Sequence, residues 1–309
     1  MMTCIKCKNK SVIKKLCKQH FIEYFENKVY DCIDKYELVK EGDKILVGVS
    51  GGKDSLTVLY LLNKKFKNNV TAYSVDEGIA GYRDKSLEDA KFFCEQHNIS
   101  LITESIKHNF GITLDQTVSN TEKKPCSVCG VFRRYLLNKH REYDLLATGH
   151  NMDDEIQSIL MNLTKNQMGL LGRCGPKPGI VSSDKFLQRI KPLYFCTEKE
   201  VMAYSFLMNF KTSFVECPYA KTSFRAAIRD EINDYESKVN GTKERIIMNF
   251  LDLVHDLNIY SDENINKDLS ISITLNPITG CNSCGEPTTR ELCHACSLKK
   301  ELRPLILMQ

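Results

Sequence analysis

The chain has 309 residues, of which 42% are hydrophobic and 27% are charged. This balance is typical of a folded globular protein and excludes a largely disordered, collagen-like or coiled-coil chain. No stretch reaches 18 consecutive apolar residues and the first ten residues lack the apolar run of a signal peptide, so we expect neither a membrane-spanning segment nor secretion. The formal net charge of +4 is too small to indicate nucleic-acid binding by itself.

The first twenty residues are basic and rich in cysteine. They contain six lysines and no acidic residue, which is typical of a polyanion-binding surface, although a merely solvated lysine-rich surface also fits. Fourteen cysteines without a secretory signal indicate metal or redox chemistry rather than disulfides. Two ligand pairs with zinc-like spacing are formed by Cys4, Cys7, Cys17 and His20. We therefore expect a structural zinc knuckle here.

Residues 21–275 alternate short apolar runs with amphipathic stretches. The apolar runs predict strands at residues 44–50, 70–76, 100–106 and 144–150. The amphipathic stretches predict helices at residues 55–66, 84–97, 128–141 and 153–163. Strands that alternate with helices in this way are typical of an α/β fold built on a doubly wound parallel sheet.

A glycine-rich loop follows the first predicted strand and leads directly into a helix, an arrangement that suits phosphate. It does not fit the Walker pattern, because Gly48 and Gly52 are one residue too close and Asp54 replaces the magnesium-binding hydroxyl. The string SGGKDS instead resembles the PP-loop motif of the ATP pyrophosphatase family. That resemblance implies attack on the α-phosphate of ATP and release of pyrophosphate. The implied ATP-binding residues are Val49, Ser50, Gly51, Gly52, Lys53, Asp54 and Ser55.

Two further strand ends carry polar residues that fit the same site. Ser74 and Asp76 end the second predicted strand, and open α/β sheets bind ligands at such carboxyl edges. The string GHNMDDE, residues 149–155, follows the fourth strand and resembles the second PP-loop signature. We expect Gly149 and Asp76 to lie near the nucleoside of ATP. Asp154 would hold Mg²⁺ or orient the adenylated intermediate, unless it or its neighbour serves as a helix N-cap.

A third cysteine pair lies in a second basic segment, residues 121–141, which contains six basic residues and one acidic residue. Cys126 and Cys129 cannot close a zinc site alone, and Cys217, which precedes a proline, is the best third ligand. Three cysteines fit an iron–sulfur cluster with one open iron. They also fit persulfide chemistry, because a helix N-terminus lowers the pKa of a cysteine.

The last third of the chain is predicted to be helical over residues 222–256, with a break at Asn240 and Gly241. A second zinc quartet with paired spacing follows, formed by Cys281, Cys284, Cys293 and Cys296. His294 lies inside this quartet and is expected to be a bystander. The remaining cysteines are expected to be small buried apolar residues: Cys32, Cys94, Cys174 and Cys196.

This ordered set of motifs resembles that of the TtuA-type tRNA 2-thiolation enzymes and their wobble-uridine-thiolating relatives. The resemblance implies ATP-dependent adenylation of a uridine C2 oxygen in tRNA, followed by sulfur insertion. It implies ATP, Mg²⁺, two Zn²⁺ and a 4Fe–4S cluster held by Cys126, Cys129 and Cys217. These cysteines would be catalytic together with Asp154 and with Arg133, which steadies the phosphate charge of ATP or faces tRNA. The implied setting is a cytoplasmic homodimer, not associated with a membrane, that takes sulfur from sulfide or a ubiquitin-like carrier.

Alternatives stay open at this point. The same cysteines would serve persulfide-based thiolation without a cluster. Cytidine 2-thiolation, an amide- or lysidine-type ligase, a non-catalytic RNA-binding protein and a redox sensor are further alternatives, and the sequence does not decide between a wobble and a T-loop uridine. We expect a first knuckle in residues 1–24, a PP-loop domain in 25–218, a helical extension in 219–275 and a zinc ribbon in 276–309.

Overall fold

The computed structural model describes residues 3–178, 186–213, 215–220, 224–256 and 278–307. Its centre is a five-stranded parallel sheet in the order β3-β2-β1-β4-β5. The strands are β1 (Ile45–Gly48), β2 (Val70–Asp76), β3 (Ser100–Ser105), β4 (Leu145–Thr148) and β5 (Gln188–Ile190). The predicted doubly wound sheet is confirmed. Strand β5 is not among the predicted strands, because its three residues include two polar ones and form no apolar run.

Helices cover both faces of the sheet. They are α1 (Lys18–Lys35), α2 (Lys53–Lys65), α3 (Arg83–Gln96), α4 (Ile106–Phe110), α5 (Leu114–Asn120), α6 (Pro125–Asn138), α7 (Met152–Thr164), α8 (Glu198–Leu207), α9 (Phe224–Lys238), α10 (Thr242–Asp256) and α11 (His294–Leu307). Gly241, with a φ of +83°, separates α9 from α10 at the predicted break. Residues 257–275 of the expected helical extension lie outside the described residues.

The strands send alternate side chains into two hydrophobic clusters. In β1, Ile45 and Val47 belong to the cluster that contains α1, α2, α7 and α8, whereas Leu46 belongs to the cluster that contains α5, α6 and α11. The apolar runs in the sequence therefore correspond to strands buried on both faces. No helix among the residues that the structure describes is long and apolar enough to cross a membrane.

The N-terminal quartet is built into the first helix. Cys17 is the N-cap of α1, and His20 lies in its first turn. Phe21 and Phe25 of the same helix are fully buried in the main core. The expected domain boundary at residue 24 therefore cuts a continuous helix, and the division into domains stays a prediction.

The C-terminal quartet lies on a small ribbon, β6 (Thr279–Gly280) paired with β7 (Pro287–Thr288), and on the start of α11. Leu298 and Leu302 of α11 pack in the same cluster as Phe132 of α6. The ribbon therefore supports the helix that carries the third cysteine pair.

Candidate active site

The sheet places the two nucleotide-binding motifs side by side. The strand order changes direction between β1 and β4, and ligands of open α/β sheets bind outside the carboxyl ends of strands at such a point. Residues 49–55 follow β1 and residues 149–155 follow β4. A Cβ on Gly149 would lie 2.8 Å from the backbone nitrogen of Ser55, so the two motifs are in direct contact.

The loop after β1 is held by its own hydroxyl groups. The backbone N–H of Ser50 donates to Ser55 Oγ at 3.1 Å, and the two Oγ atoms lie 3.2 Å apart. Ser55 Oγ in turn donates to the carbonyl of Gly52 at 2.9 Å. Gly51 has a φ of +87° and lies so close to Ser86 that any Cβ would overlap its carbonyl oxygen. The loop is therefore rigid and tight enough for its backbone to approach phosphate.

Charged side chains connect this loop to α7 and α8. Lys53 Nζ lies 3.1 Å from both Asp54 Oδ2 and Glu198 Oε1. Burial disfavours the Lys53 ammonium, yet these two carboxylates outweigh it and raise the pKa of Lys53. Asn151 donates to Asp54 Oδ1 at 3.0 Å. Lys53 and Asp54 of the predicted loop thus contact the helices on the far side of the crevice.

Asp154 faces the same crevice. It forms a capping box with Asn151, which is the N-cap of α7, so neither Asp153 nor Asp154 is the N-cap. Burial raises the pKa of Asp154 to about 6, and Arg225, with Nη1 3.6 Å from Oδ1, opposes that rise. Asp54, Asp154 and Arg225 line one open cleft. Carboxylates beside a phosphate site fit Mg²⁺, which prefers one or two of them together with substrate phosphates.

His150, which follows Gly149, is exposed to solvent. Desolvation and the nearby cations Lys191, Arg225 and Arg133 lower the pKa of His150. The imidazole is therefore neutral at physiological pH. It contacts Thr148 Oγ1 through Nδ1 at 2.9 Å.

A buried arginine that the sequence analysis missed supports the loop. Arg83 is 2% exposed and donates to the carbonyl of Val75 at 2.8 Å and to that of Ser50 at 2.7 Å. It also donates to Ser74 Oγ, which donates to the carbonyl of Val49 at 2.7 Å. Ser74 is fully buried, so here it supports the loop rather than lining the crevice. A lone arginine after a turn gives no motif that could have revealed this role.

Asp76 ends β2 with its Oδ1 accepting from the backbone N–H of Gly78 at 2.8 Å. The side chain is half-buried at the carboxyl edge of the sheet, where a nucleoside contact was expected. That contact stays a prediction.

The three remaining cysteines meet beside this edge. Helix α6 begins at Pro125, three residues earlier than predicted, so Cys126 and Cys129 lie inside its first turns. Cys126 Sγ lies 3.8 Å from the carbonyl of Tyr219, which brings the segment of Cys217 against α6. Charges on Cys126 and Cys217 both influence Cys129. The structure therefore brings the predicted trio together.

The predicted lowering of the pKa at the helix N-terminus is wrong for Cys129. Burial raises the pKa of Cys129 to about 11 and also raises that of Cys217, although the Arg133 guanidinium opposes both rises. Among the described residues, only the two zinc quartets bring all their ligand atoms within 4.8 Å of one another. A wider trio fits a cluster, in which each thiolate binds a different iron.

Both quartets fit zinc. Tetrahedral zinc places two thiolate sulfurs roughly 3.8 Å apart and a sulfur and a histidine nitrogen roughly 3.5 Å apart. The Sγ atoms of Cys7 and Cys17 lie 3.7 Å apart, and Cys17 Sγ lies 3.4 Å from His20 Nδ1. The Sγ atoms of Cys284 and Cys293 also lie 3.7 Å apart. His294 is exposed and is not part of the quartet, as predicted.

Backbone N–H groups stabilise the thiolates. Burial of Cys281 is outweighed by backbone N–H groups, including those of Cys293 and Ser283, which lower its pKa to about 6. Such contacts are typical of the surroundings of a metal-bound thiolate.

The four cysteines predicted to be apolar core residues are buried: Cys32, Cys94, Cys174 and Cys196.

Comparison with known proteins identifies the family. The PP-loop domain profile matches residues 9–236. The chain is 34% identical to the tRNA-5-methyluridine(54) 2-sulfurtransferase of Pyrococcus horikoshii over 97% of this chain and 96% of that protein. It is 34% identical to cytoplasmic tRNA 2-thiolation protein 1 of Dictyostelium discoideum over 93% of this chain and 78% of that protein. The chain belongs to the PP-loop family of tRNA 2-thiolation enzymes.

A solved structure agrees with this membership. The U34-tRNA thiolase NcsA of Methanococcus maripaludis, determined with its 4Fe–4S cluster, is 32% identical. The two chains superpose with a TM-score of 0.79 over 98% of this chain and 97% of that one. The fold predicted from the sequence is thereby confirmed at the level of the whole chain.

The structure changes the interpretation of the basic segments in this family member. Most cations of residues 121–141 have acidic partners: the recorded ion pairs are Lys123–Glu301, Arg133–Glu77, Lys139–Glu104 and Arg141–Glu286. In the N-terminal segment, Lys14 pairs with the buried Glu200 at 3.3 Å. The lysines there that are exposed and have no recorded ion pair among the described residues are Lys8, Lys10, Lys15 and Lys18.

Proposed function

We propose that the chain 2-thiolates a uridine of tRNA in two steps, adenylation by ATP and then sulfur insertion. The observation that carries this proposal is the meeting of two sites at one sheet edge. The ATP loop follows β1, and α6, which carries Cys126 and Cys129, reaches the end of the neighbouring strand β2 through the ion pair of Arg133 with Glu77. Relatives named for two different target uridines are 34% and 32% identical to this chain, so analysis of the tRNA product must identify the target.

In the adenylation step, the loop residues hold the phosphates of ATP. The C2 oxygen of the uridine attacks the α-phosphorus, an O–P bond forms, and the bond to pyrophosphate breaks. Lys53 and the loop N–H groups stabilise the charge that develops on the phosphates. Asp54 and Asp154 would hold Mg²⁺ between the phosphates and α7.

In the second step, sulfur adds to C2 and the former C2 oxygen leaves with AMP. Cys126, Cys129 and Cys217 fit a 4Fe–4S cluster, whose open iron would supply a bound hydrosulfide as the sulfur source. Arg133, one helical turn after Cys129 on α6, would stabilise the phosphate of the leaving adenylate. The two zinc quartets are structural, with one Zn²⁺ each.

The partners follow from the same proposal. The tRNA backbone would lie along the exposed N-terminal lysines, since such contacts position RNA without reading its sequence. Sulfide or a ubiquitin-like carrier would deliver sulfur, and two copies would form a cytoplasmic homodimer.

The decisive experiment compares C217S with C94A, which alters a buried thiol away from the site. Both variants are purified without oxygen and assayed for zinc, iron, pyrophosphate release and 2-thiouridine. We expect C217S to keep both zinc ions and the fold but to form no 2-thiouridine. We expect C94A to keep the zinc ions, the fold and 2-thiouridine formation. Full thiolation by C217S would overturn the three-cysteine site. If wild-type protein without iron still thiolates tRNA, sulfur transfer through a persulfide on the same cysteines would replace the cluster in the proposed mechanism.

A further inference from the structure

Glu77 is a buried carboxylate between two arginines. It follows β2 directly and is 5% exposed. Its Oε2 lies 2.8 Å from Arg83 Nε, and its Oε1 lies 3.8 Å from Arg133 Nη1. Each oxygen therefore faces a different guanidinium as an ion pair, but Oε2 accepts no hydrogen bond from the described residues, because the Nε–H of Arg83 donates to the carbonyl of Val75. The two positive charges offset the cost of burying this carboxylate.

The first arginine connects Glu77 to the ATP loop. Arg83 is committed to the backbone carbonyls of Val75 and Ser50 and to Ser74, which supports Val49. These hydrogen bonds fix the guanidinium of Arg83 at the base of the loop, and its charge lies within ion-pair distance of Glu77.

The second arginine connects Glu77 to the cysteine trio. The side chain of Arg133 is 49% exposed, and Arg133 lies one helical turn after Cys129 on α6. A half-exposed arginine has several rotamers of similar energy, and an anchored carboxylate selects those that keep the guanidinium close.

We propose that Glu77 is a positioning residue that holds Arg133 between the ATP loop and the cysteine trio, and so couples adenylation to sulfur insertion. This inference rests on the proposed thiolation. It predicts that loss of the Glu77 charge uncouples the two steps, because Arg83 still supports the loop through its backbone contacts while Arg133 is released.

The test is a double-mutant cycle of E77Q and R133A, with E26Q as the matched control. Glu26 is likewise a buried carboxylate with two partners, Lys64 Nζ at 2.7 Å and Tyr204 OH at 2.8 Å, but it lies on α1. For each variant, 2-thiouridine formed per pyrophosphate released is measured. The dissociation constant of ATP and the thermal midpoint are measured on protein that retains both zinc ions but lacks the cluster.

We expect E77Q to lower 2-thiouridine formed per pyrophosphate by about tenfold, as loss of one charge-assisted contact would. The ATP dissociation constant should change less than about twofold, and E77Q should add nothing to R133A because both remove the same contact. Three results would overturn the proposal. The first is a ratio of 2-thiouridine to pyrophosphate that falls in the double variant by the product of the two single effects. The others are an equal loss of adenylation and sulfur insertion in E77Q, and the same fall of the ratio in E26Q. Absence of thiolation by wild-type protein would instead overturn the proposed function, and the ATP measurements would still report on the loop.

Discussion

Single glycines set the shape of the ATP loop. Gly51 combines a φ of +87° with a position where any Cβ overlaps the Ser86 carbonyl. Gly42 has almost the same φ, +86°, but a Cβ there would meet nothing within 4 Å. An alanine at position 42 would therefore meet backbone strain alone, whereas an alanine at position 51 would meet both backbone strain and steric overlap.

This pair gives a matched prediction for alanine substitution. G42A should cost only the strain of a left-handed residue, about 1 kcal/mol in the free energy of unfolding. G51A should cost more and should also abolish ATP binding, because the loop must move away from Ser86. Urea unfolding and ATP titration of both variants check this. ATP binding by G51A at wild-type affinity would show that the loop is not as tight as the structure indicates.

The loop residues could be predicted because their function depends on a local string. Arg83 and Glu77 could not, because their partners are distant in sequence: Arg83 contacts Ser50, 33 residues earlier, and Glu77 meets Arg133 only through the packing of α6. Ser74 shows the opposite error. Its position at a strand end was predicted correctly, but its burial beneath the loop depends on contacts that no local pattern encodes.

At the scale of elements, α7 is fixed by three helices that approach its N-terminus. Asp153 Oδ1 forms a buried ion pair with Lys243 Nζ of α10, and Asp153 Oδ2 accepts from the backbone N–H of Glu198 on α8 at 2.8 Å. Lys243 Nζ also donates to Asn233 of α9 at 2.7 Å. The helical C-terminal region thus orients the motif that carries Asp154.

Breaking this ion pair should destabilise the protein strongly. K243M leaves the Asp153 carboxylate buried without its cation, which costs about 3–5 kcal/mol in the free energy of unfolding. D153N/K243M removes both charges and should recover part of that loss. Chemical denaturation measures both values, and a K243M variant as stable as wild type would show that the pair contributes nothing.

Element boundaries were predictable where apolar periodicity and a cap coincide. The break at Gly241 and the strand β2 are examples, because a left-handed glycine and a seven-residue buried run are local signals. The start of α6 was placed too late, since Pro125 occupies the first helical turn, where a proline costs no hydrogen bond. Strand β5 forms by pairing with β4 at the edge of the sheet, so no local sequence pattern predicts it.

At the scale of the whole molecule, the charge distribution separates structural cations from those available to RNA. The net charge is small, and most cations of the second basic segment have acidic partners. The exposed lysines of the N-terminal segment lie in the same stretch of chain as the first zinc quartet.

Substituting Lys8, Lys10, Lys15 and Lys18 by alanine should weaken tRNA binding and flatten its salt dependence. Each lysine that contacts a phosphate contributes about one unit to the slope of log K against log salt. A control with Lys40, Lys67, Lys85 and Lys107 substituted removes the same charge from scattered exposed positions. Equal slopes for the two quadruple variants would place the RNA elsewhere on the molecule.

The first zinc quartet shares helix α1 with the core, with Cys17 at its N-cap, His20 in its first turn and Phe21 and Phe25 buried beneath the sheet domain. The quartet is therefore not an independent structural module. Genetic exchange that joined this quartet to another catalytic domain would have to transfer α1 and the surface that receives it. Recombination within α1 would split one cooperative unit, so the quartet and the catalytic domain are expected to have been inherited together.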